Sequence, residues 1–439
     1  MTKLVVSWFL FAIATSLVND NAARANATAP NTSARGQGSG GEINVQSLGA
    51  KGDGATDDTQ AIQRAIDTAG SGAAIKFPAG TYIVSNLMVK NRTGLSFIGE
   101  GAKSVLKQKA GAPRIAEFRD SANITVTELA FDANGIESYG GLVFYGGRGI
   151  HIVNNLFWDS APKPVGRFDR YSVVFGRGGT PSQNIWIVNN VINDLQLEVN
   201  HAQKVVIEGN IVRRAVATAG IGVFTVGDGA TAEEYQIIRN TIVDPVGAGV
   251  SIGIDPPTDR NCVFRRITIA DNVVTRSNTA GHGIRIGTPD NSKRTNGNLF
   301  KEIVIKNNRL RIESSAPQPT QIIFANTSAN AGIAFDGLTV SGNKIESARQ
   351  GGRGYAIDLR RIHNSSVVDN VLKGVANGIS LGGDLLANEV RDNSVEASEV
   401  AYALEGSLGG NKATNNQIVG KPRQGWKLSA LKTSDSVEH

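Results

Sequence analysis

The chain is nearly without cysteine. Cys262 is the single one in 439 residues, so no intramolecular disulfide can form, and the fold must be held by its core and its ladder hydrogen bonds. Proline is also scarce, at 13 against 51 glycines, and asparagine is abundant. That mix points to many turns that need left-handed backbone. Charged residues are only 19% beside 40% hydrophobic, which excludes a disordered chain. Long apolar runs are missing as well. The run from Leu4 to Val18 is too short for a comfortable membrane span, and no later stretch approaches one.

That run has the layout of a secretory signal peptide. Lys3 precedes it, and Ala23 and Ala25 supply the small residues read by a signal peptidase, so cleavage is expected after Ala25. An N-terminal membrane anchor is the alternative. Residues 1–25 then form the leader, 26–41 ("NATAPNTSARGQGSGG") a linker, 42–420 a single domain and 421–439 a C-terminal tail. The expectation is a secreted or periplasmic monomer, not inserted in the membrane once the leader is removed. The net charge is +6, and the isoelectric point is about 9.3. Outside a cell this balance suits an acidic polysaccharide, and no nucleic-acid partner is expected.

Helix signals are nearly absent too. One short amphipathic helix is predicted in "DDTQAIQRAIDTAG", with Asp57 as its cap, Ala61, Ile62, Ala65 and Ile66 on one face, and Gly70 ending it. Beyond it the chain is built on a repeat. "VNNLFWD", "VNNVIND", "EGNIVRR", "IRNTIVD", "ADNVVTR", "KNNRLRI", "SGNKIES", "VDNVLKG", "RDNSVEA" and "TNNQIVG" each place an Asn before a short apolar pair. The Asn positions are 155, 190, 210, 240, 272, 308, 343, 370, 393 and 416, at spacings from 20 to 36. A Gly and an alternating strand come after most of them, as in "GIGVFTV", "GAGVSIG", "GHGIRIG" and "NGISLG". Each period holds a strand, an Asn turn, a second strand, a loop and a third strand. Stacked units of this kind form an all-β, parallel β-helix, with the short helix capping its N-terminal end. The Asn is expected to adopt the left-handed conformation itself and to bond its amide to the Asn one rung away.

With "INVQSLGAKGDGATDDTQAIQRAIDTA" and "IKFPAGTYIV", this pattern resembles the pectin-lyase-like superfamily of right-handed parallel β-helices, over roughly residues 42 to 420. The resemblance implies a carbohydrate ligand. It does not choose among lyases, hydrolases, epimerases and binding proteins. Polygalacturonases (glycoside hydrolase family 28) carry a Gly-His-Gly motif, and "GHGIRIG" is similar to it. Their acid pair is missing here: Gly247 and Ala248 stand on one matching rung, Ala219 on the one before, and "QIIFANT" replaces Arg-Ile-Lys. Inverting hydrolysis needs two flanking carboxyl groups, so a standard polygalacturonase is excluded. "GIDPPTD" is faintly similar to the Asp-Pro-His-Asp/Glu motif of mannuronan C5-epimerases, with Pro257 in place of the His.

Strand alternation points Ile252, Ile284 and Ile286 inward and Ser251, Asp255 and Arg285 outward, together with Glu198, Asn200, Asp358 and Arg360. Rung counting puts Glu198 three rungs before Arg285 and Asp358 two after it, about 14 Å and about 10 Å. β-Elimination on a uronate needs a cation for the carboxylate and a base for the proton α to it. His282 suits the base, Arg285 the carboxylate, and Asp255 would orient the His or hold a Ca²⁺. No other cofactor is called for. Ca²⁺ is also the alternative to a plain turn for "GDGATDD" at 52–58. His201 lies near Glu198 as a reserve, while His151 and His363 suit ordinary surface positions. The loop "GRFDRYSVVFGRGG" offers Arg167, Arg170, Tyr171 and Arg177 over the groove.

The expected function is a polysaccharide lyase acting on an acidic polymer. The alternatives are a hydrolase with a relocated carboxylate pair, a C5-epimerase, and a non-catalytic glycan-binding β-helix. Repeat convergence on "GHGI" is the structural alternative for His282. The phase itself is testable: Ile284→Ala or Ile252→Ala should cost roughly 2–5 kcal/mol in chemical unfolding, and Arg285→Ala much less. The reverse order would mean that inside and outside are inverted.

Overall fold

A computed structural model of the chain describes residues 40–438, apart from 136–140, 162–169, 177–179, 226, 255–258, 278–280, 288–296, 314–321, 327–334 and 349–353. The described chain is a right-handed parallel β-helix with one α-helix, α1, at Thr59–Thr68. Each full turn gives one strand to each of three parallel sheets. In one turn these are Ala202–Glu208 in sheet A, Ile211–Arg213 in sheet B and Ala219–Thr225 in sheet C. The next turn repeats the order with Thr231–Ile238, Thr241–Val243 and Ala248–Ile254. Equivalent strands pair in register, for example Val212 with Ile242, and Val223 with Ile252.

The predicted ladder is present from end to end. The backbone N–H and side-chain Nδ2 of Asn210 both donate to Oδ1 of Asn240, at 2.9 and 3.0 Å. Asn240 repeats this toward Asn272, and its Nδ2 also donates back to the Ile207 carbonyl at 2.9 Å. Each side chain thus ties three successive turns together. The series begins where Leu129 N donates to Asn155 and runs through Asn190, Asn308, Asn343, Asn370 and Asn393 to Asn416. A second, shorter series joins Ser365, Asn388 and Asn411 and ends on the Asp435 carboxylate.

The left-handed assignment needs a correction of one residue. The ladder asparagines are not the ones at positive φ; the residue just before each of them is. Asn154, Asn189, Arg239, Asp271, Asn307, Asp369, Asp392 and Asn415 lie at φ between 52° and 58°, with Gly209 and Gly342 completing the column. The sharp left-handed bend turns the next residue's side chain inward, where it can reach the neighbouring rung. A second left-handed column bends sheet A at Asn184, Lys204, Glu234, Arg266 and Glu302. Lys, Glu and Arg have no special tolerance for this conformation, which costs roughly 1–2 kcal/mol per residue. The stacked neighbours impose it.

The helix covers the first rungs with Ala61, Ile62, Ala65 and Ile66 buried, as its pattern predicts. Its ends differ in detail. Asp58 occupies the cap position, while Asp57 accepts from the Thr59 N–H at 3.1 Å. Asp58 instead accepts from the N–H groups of Lys51 and Gly52, and Ala69 closes the helix ahead of Gly70. At the other end the coil runs past residue 420. Gln424–Ser429 pairs with sheet C and Ser436–Val437 with sheet A, so the stretch expected as a tail carries strands of the coil.

Removing one ladder side chain from the middle should be expensive. Asn240→Ala leaves Asn210 without its acceptor and the Ile207 carbonyl without its donor, inside a fully buried site. Buried unsatisfied groups cost about 1–3 kcal/mol each. A loss of about 3 kcal/mol or more is expected in urea unfolding, against a clearly smaller loss for Asn416→Ala at the half-buried end. Equal losses would show that the ladder is not cooperative.

Candidate functional site

Sheet C carries the row that the sequence places outside. Its register runs Glu198, Gly222, Ser251, Arg285, Phe324, Asp358, Ser380, Ala403, Lys427 on successive rungs. The rung counts read from the sequence therefore hold: Glu198 is three rungs before Arg285 and Asp358 two after it. Behind the row, Val250, Ile252, Ile284 and Ile286 are fully buried in the core.

Arg285 stands apart from Lys427, the other cation of this row, which pairs with Glu405. Its Nε donates to the Ser251 hydroxyl at 3.2 Å, and no carboxylate pairs with it among the described residues. Burial lowers its pKa from the ordinary arginine value. Its in-register neighbour on the next rung is Phe324, whose ring stacks on that of His282 with centroids 5.1 Å apart and planes 10° from parallel. His282 and Arg285, on one rung, are thus brought to the same part of the face as the aromatic ring of Phe324 on the next.

His282 is held there through its backbone. Its carbonyl accepts from Gly249 N at 3.0 Å and from Arg276 Nη2 at 2.6 Å. Arg276 is fully buried, and it also donates to the carbonyls of Pro245 and Gly247 on the preceding turn. Burial brings its pKa down to about 10. The two glycines of "GHG" have steric reasons of their own. Gly281 lies at φ 120°, and a Cβ there would come within 2.7 Å of the Gly247 carbonyl. A Cβ at Gly283 would meet the Ile322 carbonyl at 2.9 Å.

The other expected contact residues are more enclosed than a groove lining should be. Glu198 is buried, and its two oxygens accept from Gln196 Nε2 and Asn200 Nδ2, both at 2.5 Å. Asn200 Oδ1 accepts from Phe224 N at 3.0 Å. Asp358 is buried and paired with Arg360, whose Nε lies at 2.6 Å. His201 occupies a corner at φ 45°, at the start of a sheet A strand. Arg170 and Tyr171 do not sit in a loop over the groove. Arg170 makes a buried ion pair with Asp159 at 3.0 Å, and Tyr171 packs in a buried cluster with Val143 and Val174. Asp159 supplies the carboxylate that compensates the Arg170 guanidinium for leaving water. Asp255, Arg167 and Arg177 lie outside the described residues. No group of three metal-ligating side chains is found among the described residues, "GDGATDD" included. There Asp53 accepts from Ala55 N and Thr56 N, which fits a turn.

Residues 42–208 match the family described as Rhamnogalacturonase A/epimerase, pectate lyase-like. The A-module of mannuronan C-5 epimerase AlgE6 from Azotobacter vinelandii superposes with a TM-score of 0.53 at 16% identity, over 90% of this chain and 98% of that one. The fold is that of the pectin-lyase-like superfamily. Within this fold, the surface protein and adhesin PfbA of Streptococcus pneumoniae gives a TM-score of 0.52 at 16% identity, over 90% of this chain and 100% of the other. By sequence, Alginate lyase 7 of Azotobacter vinelandii is 34% identical over 110 residues, which is 21% of this chain and 13% of that protein. The chain therefore spans a small part of that relative's length.

Two features of the site escape sequence reasoning. Phe324 gives no signal when "QIIFANT" is compared only with a missing Arg-Ile-Lys. Arg276 has a legible one: it follows Val274 at an inward position, in register with Ile312 on the next rung, where a charge is out of place. Arg276→Met should leave the carbonyls of Pro245 and Gly247 without their side-chain donor and the His282 carbonyl with Gly249 N alone. We expect a loss of about 3 kcal/mol in unfolding and an altered His282 ring environment by NMR. An unshifted His282 resonance would show that the clamp does not position it.

Proposed function

We propose that the protein binds and cleaves an acidic, uronate-containing polysaccharide by β-elimination at His282 and Arg285. The observation that carries this reading is Arg285: a half-buried guanidinium whose one described partner is a neutral hydroxyl. A substrate carboxylate would complete it in bidentate geometry. Neutralising that carboxylate acidifies the neighbouring C–H. His282 then takes the proton, the C–H electrons form the C=C bond, the C–O bond to the leaving sugar breaks, and the departing oxygen is protonated. The alginate lyase among the relatives and the mannuronan epimerase among the structures make alginate-type polymers the first substrates to try. Export by the expected N-terminal leader is part of the proposal, and no described helix is long and apolar enough to cross a membrane.

The described carboxylates of the row argue against a relocated hydrolase pair. Glu198 and Asp358 are five rungs apart, about 24 Å, well beyond the separation that glycosidases use. A binding-only role is the second reading, supported by the adhesin's similar fold and by the enclosure of most of the face.

Incubation with a panel of uronate polymers, following absorbance of the unsaturated product, tests the proposal. His282→Ala should lower turnover by about 10²–10⁴-fold and keep polymer binding, the usual share of a general base. Arg285→Ala should weaken binding by about 10–100-fold as well as turnover, the worth of a charge-assisted hydrogen bond. Reducing ends without the absorbance would point to hydrolysis, and retention without cleavage to the binding role. Unchanged turnover in both variants would remove "GHGIRIG" from the chemistry.

A further inference from the structure

The row on sheet C is not open along its length. On the N-terminal side, Glu198 is 4% exposed and Ser251 0%, with Gly222 between them buried too. On the C-terminal side, Asp358 is 6% exposed, Ser380 1% and Ala403 1%. Between them only Arg285 and Phe324 of the row are half-exposed, and His282, stacked on Phe324, is half-exposed too. From Ser251 to Asp358 is three rung steps, about 14 Å, the length of two to three pyranose units.

Resting on the function proposed above, we infer that this opening is a short pocket for a chain end or an oligosaccharide, not a groove through which a long polymer passes. Three observations agree. The cation without a described carboxylate partner lies inside the opening. Arg360, the next arginine along the face, is already committed to Asp358 and the Ser380 hydroxyl. A polyanion continuing either way would run toward a buried carboxylate, Glu198 or Asp358, with no unpaired arginine among the described row residues to receive it. Cleavage should therefore start from chain ends, and affinity should saturate at short length.

Calorimetric titration of the full chain with oligouronates of two, three, four and six residues tests this. Affinity should rise up to about three residues and then stay level within about twofold. A continuing gain of threefold or more per residue up to the hexamer would overturn the short pocket while leaving the acidic-glycan reading standing. No binding at any length would overturn both. Arg285→Lys and Phe324→Ala place the ligand: each should weaken trimer binding at least tenfold with unchanged thermal melting. Full trimer affinity in both variants would put the ligand elsewhere and refute the pocket.

Discussion

The bond from one asparagine side chain to the next turn's asparagine is what the rest of this structure depends on. With a single buried cysteine there is no covalent staple, and each short sheet B strand of three or four residues is too small to fix its own register. The ladder fixes it. A left-handed residue bends the chain, the following Asn turns inward, and one Oδ1 accepts two donors from the turn before. Because this constraint is local, the loops between rungs can vary widely in length without disturbing the stack. Aromatic stacks inside the coil, such as Phe118, Phe144 and Phe175 at 4.4 and 4.7 Å, follow from that register.

A stack of identical pitch turns sequence into a ruler, and the chemistry of the face depends on what each mark carries. The arginines show the rule by which a guanidinium leaves water. Arg170 is matched by Asp159, Arg360 by Asp358, and Arg276 by three backbone carbonyls. Arg285 is matched by one hydroxyl. That arrangement leaves unused capacity for an anion, which is why the functional reading centres there and not on the more numerous charges of sheets A and B. Those charges pair across rungs, as Arg265 does with Glu233 and Arg214 with Asp194.

His282 sits in a motif whose flanking positions are set by packing. Gly281 and Gly283 are required by close backbone approach, so "GHG" would be kept for packing alone. The histidine between them is steered by a clamp on its carbonyl and by a ring contact with the next rung. The motif is therefore a rung, and under the proposed function a site as well.

Much of this was decided by the sequence itself. The recurring Asn, the alternation of Val and Ile, and the single helix pattern dictate the coil, its cap, the inward phase of Ile252 and Ile284, and the rung distances from Arg285 to Glu198 and Asp358. These are local, periodic properties, set by backbone geometry and the inward burial of aliphatic side chains. The tertiary structure decided what periodicity does not encode. It moved the left-handed bend to the residue before each Asn, because only that bend aims the amide at its neighbour. It buried Glu198, Asn200, Asp358, Arg170 and Tyr171, although alternation puts the strand residues among them outside, because burial on the outer side depends on whatever packs there from distant parts of the chain. It also brought His282, Phe324 and Arg285 together across two rungs that are nearly 40 residues apart in sequence, since contact between rungs depends on loop lengths that carry no pattern of their own.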